Sequence, residues 1–177
     1  FRKTIEMAPL TPTERLIAAS SGKSGTWAPT LEKAWGIHLA KGRPEAAFEM
    51  TTYPEDAIKA WTNRPAVTAD IPAKSSGTEL SQFLDKARQT LGEGGTVVAW
   101  TKHDGVSEKD FVPGHAYTVT GIDSESKRIS LRNPWGRMEP TDQKGSPKDG
   151  RDDGKFTITF KEFQANFKSL AQSELKT

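Results

Sequence analysis

The sequence contains two runs that together predict a β-hairpin, Gly114-His115-Ala116-Tyr117-Thr118-Val119-Thr120-Gly121-Ile122 and Arg128-Ile129-Ser130-Leu131-Arg132-Asn133-Pro134-Trp135-Gly136. Both runs alternate with a period of two and are rich in β-branched and aromatic residues, which is the pattern of strands with one buried face. The segment between them, residues 123–127, consists of turn formers and solvated charges. Two such runs joined by a short polar segment are most simply a hairpin.

The register expected for this hairpin brings a histidine close to an asparagine. With the turn centred on Glu125, His115 faces Trp135 and Tyr117 faces Asn133. His115 and Asn133 are then diagonal neighbours on one apolar face, with backbones about 7–8 Å apart. A ring and a carboxamide span that distance, so we expect the two side chains to meet.

An imidazole beside a carboxamide has two interpretations. In the catalytic one, the Asn133 oxygen accepts the Nδ1–H of His115, which leaves Nε2 to exchange a proton with a nucleophile, as in Cys–His–Asn hydrolases. Trp135 would then shield the bond from water, and Gly114 would let a substrate backbone approach closely. In the other interpretation, the histidine is a buried side chain satisfied by a neighbouring amide, and the pair serves packing alone.

Four stretches of the chain occur in the order found in one known family. They are Trp27-Ala28-Pro29-Thr30-Leu31-Glu32-Lys33-Ala34-Trp35, Gly114–Gly121, Arg132–Gly136, and Asp153-Gly154-Lys155-Phe156 with Phe160 and Phe163. They resemble the calpain family of papain-like cysteine proteases: the helix that opens its His/Asn lobe, its His and Asn motifs, and the strand and helix that close the lobe. The resemblance spans most of the chain. It implies that His115 is the catalytic imidazole, Asn133 its orienter and Trp135 the indole beside them.

The chain has no cysteine, whereas the nucleophile of that family lies on a lobe preceding the His/Asn lobe. The resemblance therefore implies that residues 1–177 are the His/Asn catalytic subdomain, with residues 1–25 a remnant or linker from an upstream cysteine lobe. The expected function is half of a cysteine endopeptidase core. Its partners would be an upstream or separate cysteine-bearing lobe and a protein or peptide substrate, and the chain alone would be inactive. The alternative is a catalytically inactive calpain-like binding or regulatory module.

No cofactor and no metal site is predicted from the residues. Many members of the family bind calcium, so the resemblance allows calcium, but its ligands are not assignable here. The acidic segment 149–153 before Gly154 suggests a calcium loop. The EF-hand spacing fails, because with Gly154 at the sixth position Arg151 stands at the third and Phe160 at the twelfth.

Composition and charge narrow the class of protein. The 177 residues fit one domain, and a net charge of +2 from 25 basic and 23 acidic residues gives no electrostatic case for nucleic acid. No apolar run approaches the ~20 residues of a membrane span. The lack of cysteine excludes disulfides and leaves the compartment undecided, while the absence of an Asn-x-Ser/Thr sequon favours the cytoplasm slightly.

The expected fold class is α+β, an antiparallel sheet holding the His/Asn hairpin with packed helices around it, as in the second lobe of a papain-like core. The segment 63–77 is expected to be irregular, and the tail after Ala171 to fray. In the second expected helix, Leu31, Ala34, Trp35 and His38 fall on one stripe, with Trp35 predicted to lie in the core and His38 to be a surface or cap histidine. Further strands are predicted at Phe1–Met7, Thr96–Trp100 and Lys155–Thr159, and helices after Thr11 and at Trp27–His38, Pro54–Trp61, Thr78–Leu91 and Phe160–Leu170.

Overall fold

The computed structural model of the chain describes residues 4–19, 25–49 and 52–174, which form two compact units. The first unit ends at Thr52 and the second begins at Tyr53. The predicted hairpin and its site residues all lie in the second unit. No helix among the described residues combines the length and the apolar character that crossing a membrane requires.

The first unit consists of short helices joined by irregular chain. It contains α1 (Pro12–Ile17), α2 (Trp27–Leu39) and a 3₁₀ turn at Pro44–Ala46. The predicted helix after Thr11 is confirmed, and it begins with a capping box in which the Thr11 and Glu14 side chains each accept a backbone N–H. Of the strand predicted at Phe1–Met7, residues 1–3 lie outside the described residues, and the rest has no regular structure.

The stripe predicted on α2 is not its buried face. Leu31 is 40% exposed, whereas His38 is exposed as expected of a surface histidine. The buried face instead contains Lys33, whose Nζ lies 2.9 Å from a Glu14 carboxylate oxygen, and Gly36, which the Ala47 carbonyl approaches so closely that no Cβ would fit. Lys33 is buried because its charge is paired with Glu14, and Gly36 is buried because it has no side chain to separate it from Ala47. A pattern of hydrophobic residues predicts neither position. The helix belongs to the first unit and the His/Asn hairpin to the second.

The second unit is built on one antiparallel sheet, which confirms the α+β class. The elements are α3 (Pro54–Thr62), β1 (Ala66–Asp70), α4 (Gly77–Gly92), β2 (Val97–Thr101), β3 (Ala116–Asp123), β4 (Arg128–Arg132), β5 (Lys155–Thr159), α5 (Phe160–Asn166) and β6 (Phe167–Ser173). The strand order is β1-β6-β2-β3-β4-β5, with every neighbouring pair antiparallel. The helices α3, α4 and α5 pack against the sheet.

The C-terminal segment departs most from the prediction. The helix expected to reach Leu170 ends at Asn166, and the chain continues as β6, which pairs with β1 on one side and β2 on the other. Of the tail expected to fray after Ala171, Gln172 and Ser173 are instead buried in β6, Glu174 is exposed, and residues 175–177 lie outside the described residues. The segment 63–77, expected to be irregular, contains β1 between its two prolines. The spacing of the aromatic residues favours a helix after Asn166, but hydrogen bonding of the backbone to strands on both sides favours β6 and prevails.

The core lies between the sheet and α4. The helix predicted at Thr78–Leu91 is confirmed as α4, and its residues Leu80, Leu84 and Ala87 are almost completely shielded from solvent. The helix begins with a capping box between Ser76 and Glu79. A cluster of aromatic rings fills the centre of the same core: Phe111, Tyr117, Phe156, Phe163 and Phe167.

The hairpin is present, but its register changes along its length. Thr118 pairs with Arg132, as expected, whereas Asp123 pairs with Arg128. A bulge at Thr120 accounts for the one-residue shift. The register prediction was therefore correct at the His/Asn end and wrong at the turn end.

Candidate active site

The predicted histidine and asparagine meet at the open end of the hairpin. His115 immediately precedes β3, Asn133 immediately follows β4, and His115 Nε2 lies 3.0 Å from Asn133 Oδ1. The expected contact is confirmed. The nitrogen is not the expected one, because Nε2 rather than Nδ1 meets the carboxamide.

The carboxamide of Asn133 is fixed by its other contacts. The residue is 0% exposed, and its Nδ2 donates to the Met138 carbonyl at 3.2 Å. Its Oδ1 also accepts the backbone N–H of Trp135 at 3.1 Å. Because Oδ1 accepts, the proton of the bond to His115 belongs to Nε2, and in the neutral ring Nδ1 is the unprotonated, basic nitrogen.

Two aromatic rings enclose the imidazole. The Trp135 ring lies over it with centroids 4.3 Å apart and planes inclined by 40°, and the Tyr117 ring meets it edge-on at 5.0 Å. Tyr117 is fully buried, and its hydroxyl accepts the Val112 N–H at 3.0 Å. Burial raises the pKa of that phenol. The imidazole therefore has an indole on one face and a neutral phenol at its edge.

Thr101, at the end of β2, holds the backbone of the histidine. The His115 N–H donates to Thr101 Oγ1 at 2.9 Å, and this hydroxyl donates to the Val112 carbonyl at 2.6 Å. Sequence reasoning missed this residue. The only available signal was a hydroxyl at the end of an apolar run, which does not name its partners.

Gly114 lies against a second histidine. Its φ of +60° is left-handed, and a Cβ there would lie 2.6 Å from Cε1 of the His103 ring. Glycine is therefore needed both for the backbone conformation and for this contact. The approach of a substrate backbone to Gly114 stays a prediction.

Comparison with known sequences agrees with the motifs and with the geometry of the pair. A sequence model described as "Calpain family cysteine protease" matches residues 5–174. The chain belongs to the calpain family of cysteine proteases. It is 38% identical over 169 residues to Calpain-9 of Homo sapiens, a match that covers 80% of this chain and 23% of that protein.

Two further relatives show the same partial coverage. The chain is 30% identical over 137 residues to the Calpain-2 catalytic subunit of Gallus gallus, covering 72% of this chain and 19% of the relative. It is 25% identical over 186 residues to Calpain-12 of Mus musculus, covering 88% and 24%. The chain therefore spans less than a quarter of the length of each relative. This calpain-family chain has no cysteine, so it lacks the nucleophile of a cysteine protease.

The acidic segment of this calpain-family chain uses carboxylates to bind backbone amides. Asp149 Oδ1 accepts the Arg151 N–H at 2.9 Å, and Asp152 Oδ1 accepts the Met138 N–H at 2.8 Å. The residues that the structure describes contain no group of three or more His, Cys, Asp or Glu side chains able to hold a metal ion. No ligand set for calcium is assigned.

Burial dominates the electrostatics of the imidazole. It lowers the pKa of His115, and the bond to Asn133 opposes that shift only in part. The folded chain therefore disfavours the protonated ring, whereas the unfolded chain titrates near the ordinary histidine value of about 6.5.

We expect the free energy of unfolding to decrease as the pH falls from about 6.5 through the lowered pKa of His115, because only the unfolded chain takes up the proton in that window. The measurement is urea unfolding of the wild type and of His115→Gln across this range. The wild type should lose more stability towards acid than the variant, whose side chain does not titrate. Two curves that run parallel would contradict the expectation.

Proposed function

We propose that this chain supplies the catalytic imidazole and its orienting carboxamide to a cysteine peptidase core whose thiol lies on another lobe. The observation that supports this proposal most directly is the 3.0 Å contact between His115 Nε2 and Asn133 Oδ1, with the tilted Trp135 ring 4.3 Å from the imidazole. In this proposal residues 1–177 act as the His/Asn part of the core, and residues 1–25 lead from the cysteine lobe.

The tautomer of the imidazole gives each group a role. Because Asn133 holds the Nε2–H of His115, the lone pair on Nδ1 takes the proton of the incoming thiol, which leaves a thiolate beside an imidazolium. The negative thiolate favours the charged ring and so opposes the effect of burial on the pKa of His115. Asn133 acts by orientation and carries no charge.

Peptide hydrolysis then follows in two steps. The thiolate attacks the substrate carbonyl, and the imidazolium gives its Nδ1 proton to the leaving amine, which leaves an acyl group on the sulfur. In the second step the imidazole takes a proton from water, which attacks the thioester, and the proton returns to the sulfur. The cysteine lobe supplies the donors that stabilise the oxyanion. The substrate is a protein or peptide whose backbone passes Gly114.

The isolated 177 residues are expected to show no hydrolysis of a fluorogenic peptide, because they contain no thiol. The material is first checked by intact mass, which would reveal a co-purified cysteine lobe. Hydrolysis by the pure chain would contradict the proposal.

The decisive test uses a core in which this chain is joined to the proposed cysteine lobe. A peptidyl epoxide, which alkylates activated thiolates, should label one cysteine in the wild type. His115→Ala should strongly reduce the labelling, because the thiol loses its base. Absence of labelling in the wild type would favour the alternative, a catalytically inactive calpain-like binding or regulatory module.

A further inference from the structure

Asn133 is held by two short segments that follow the hairpin, residues 136–139 and residues 152–154. Its backbone N–H donates to the Gly154 carbonyl at 2.7 Å, and its own carbonyl accepts the Gly136 N–H at 3.0 Å. Its side-chain Nδ2 donates to the Met138 carbonyl at 3.2 Å. Apart from Oδ1, every polar group of Asn133 is bound by one of these two segments.

Glu139 joins the two segments to each other. The residue is 4% exposed, and its Oε1 accepts the N–H groups of Asp153 and Gly154, both at 2.6 Å. Hydrogen bonds to a buried carboxylate are among the strong ones. The Met138 N–H makes a second link by donating to Asp152.

The backbones of the two segments touch where they meet Asn133. Gly154 has a φ of +76°, and a Cβ there would lie 2.8 Å from Gly136 Cα and 2.9 Å from the Asn133 carbonyl oxygen. Position 154 therefore has no room for a side chain, and its backbone packs closely against those of Gly136 and Asn133. Because the Gly154 carbonyl also accepts the Asn133 N–H, we expect what holds Gly154 to hold the backbone of the asparagine.

We propose that Glu139 is a positioning residue for the His115–Asn133 pair. Its carboxylate holds the Gly154 amide, the Gly154 carbonyl holds the backbone of Asn133, and the neighbouring Met138 carbonyl sets the direction of the carboxamide. The consequence for catalysis rests on the proposed function, whereas the positioning is a property of this chain alone.

The first test is an NMR measurement on the 177-residue chain, so it does not require activity. In Glu139→Ala, the Nε2–H of His115 and the Nδ2 protons of Asn133 should exchange with solvent about tenfold faster or more, because the buried Gly154 amide and the partly buried Asp153 amide lose their acceptor. Glu139→Gln keeps an acceptor oxygen at the same position and should restore slow exchange. Glu139→Asp, which is one methylene shorter, should fall between them and serves if the alanine variant does not fold.

Glu162→Ala is the matched control. Its carboxylate also accepts a backbone N–H, that of Thr159 at 2.8 Å, and it caps α5. Its link to the loop between the two segments is an exposed ion pair with Lys148 at 3.7 Å, and exposed pairs of this kind contribute little to stability. It should lower stability without changing exchange at the pair. Unchanged exchange in Glu139→Ala and Glu139→Asp would overturn the proposal, and so would equal acceleration in Glu162→Ala.

A second readout applies to the core completed with its cysteine lobe. Glu139→Ala should lower kcat by more than it raises KM, and Glu139→Gln should recover most of the rate. If the completed wild-type core is inactive but exchange responds as expected, the proposed function fails and the positioning role stands. If the core is active and exchange at the pair does not respond to substitution of Glu139, the positioning role fails alone.

Discussion

Replacing His115 by Ala in a core that joins this chain to its cysteine lobe is expected to lower kcat/KM by about 10⁴-fold or more. The imidazole is proposed both to take the proton of the thiol and to give it to the leaving amine. Its loss therefore removes the base that activates the thiol and the acid that protonates the leaving group. The measurement is steady-state hydrolysis of a peptide, with the enzyme concentration taken from the thiol content.

Two further variants test whether the loss of rate depends on the orientation of the imidazole and whether it is specific to His115. Asn133→Ala keeps the imidazole but not its orientation, and should cost on the order of 10²-fold in kcat. It should also lower the melting temperature, because Asn133 is completely buried and its carboxamide makes three contacts. His38→Ala changes an exposed histidine of the first unit and should leave the rate close to wild type. Wild-type rates in His115→Ala would refute the catalytic role.

Replacing Phe167 by Ala is expected to lower the free energy of unfolding by about 3–5 kcal/mol. Phe167 is 1% exposed where α5 passes directly into β6, and its ring contacts those of Phe111, Tyr117 and Phe163 at centroid distances of 5.5, 5.6 and 4.7 Å. Truncation leaves a cavity between the sheet and its covering helices. The measurement is urea unfolding of the 177-residue chain.

The neighbouring Lys168 provides the control for this substitution. Its side chain is exposed on the same strand, so Lys168→Ala should change stability by less than about 0.5 kcal/mol. A loss in Phe167→Ala no larger than in Lys168→Ala would mean that this part of the chain is not a buried central strand.

The contact between His115 and Asn133 was predictable because it depends on local regularities. Alternation with a period of two assigns each side chain of a strand to one face, and the short polar segment limits the register to a few choices. The bulge at Thr120 shifted the register at the turn but not at the other end. The orientation of the imidazole was not predictable, since it depends on the rings of Trp135 and Tyr117 packed against it.

The structure of residues 167–173, by contrast, was not predictable from local patterns. Phe163, Phe167 and Leu170 recur at helical spacing, and nothing nearby in the sequence signals a strand. The strands that pair with this segment, β1 and β2, lie far earlier in the chain. Local spacing cannot reveal such partners, and a central strand gains hydrogen bonds on both sides.

The sequence by itself determined the α+β class, the hairpin, the resemblance to the family and the meeting of His115 with Asn133, because alternation and motif order are local properties of the chain. Only the tertiary structure decided that Nε2 faces the carboxamide, that residues 167–173 form an inner strand, and that Thr101 and Glu139 accept the backbone N–H groups of His115 and Gly154. Each of these depends on hydrogen bonds and packing between residues distant in sequence, whose partners are settled only when the sheet assembles.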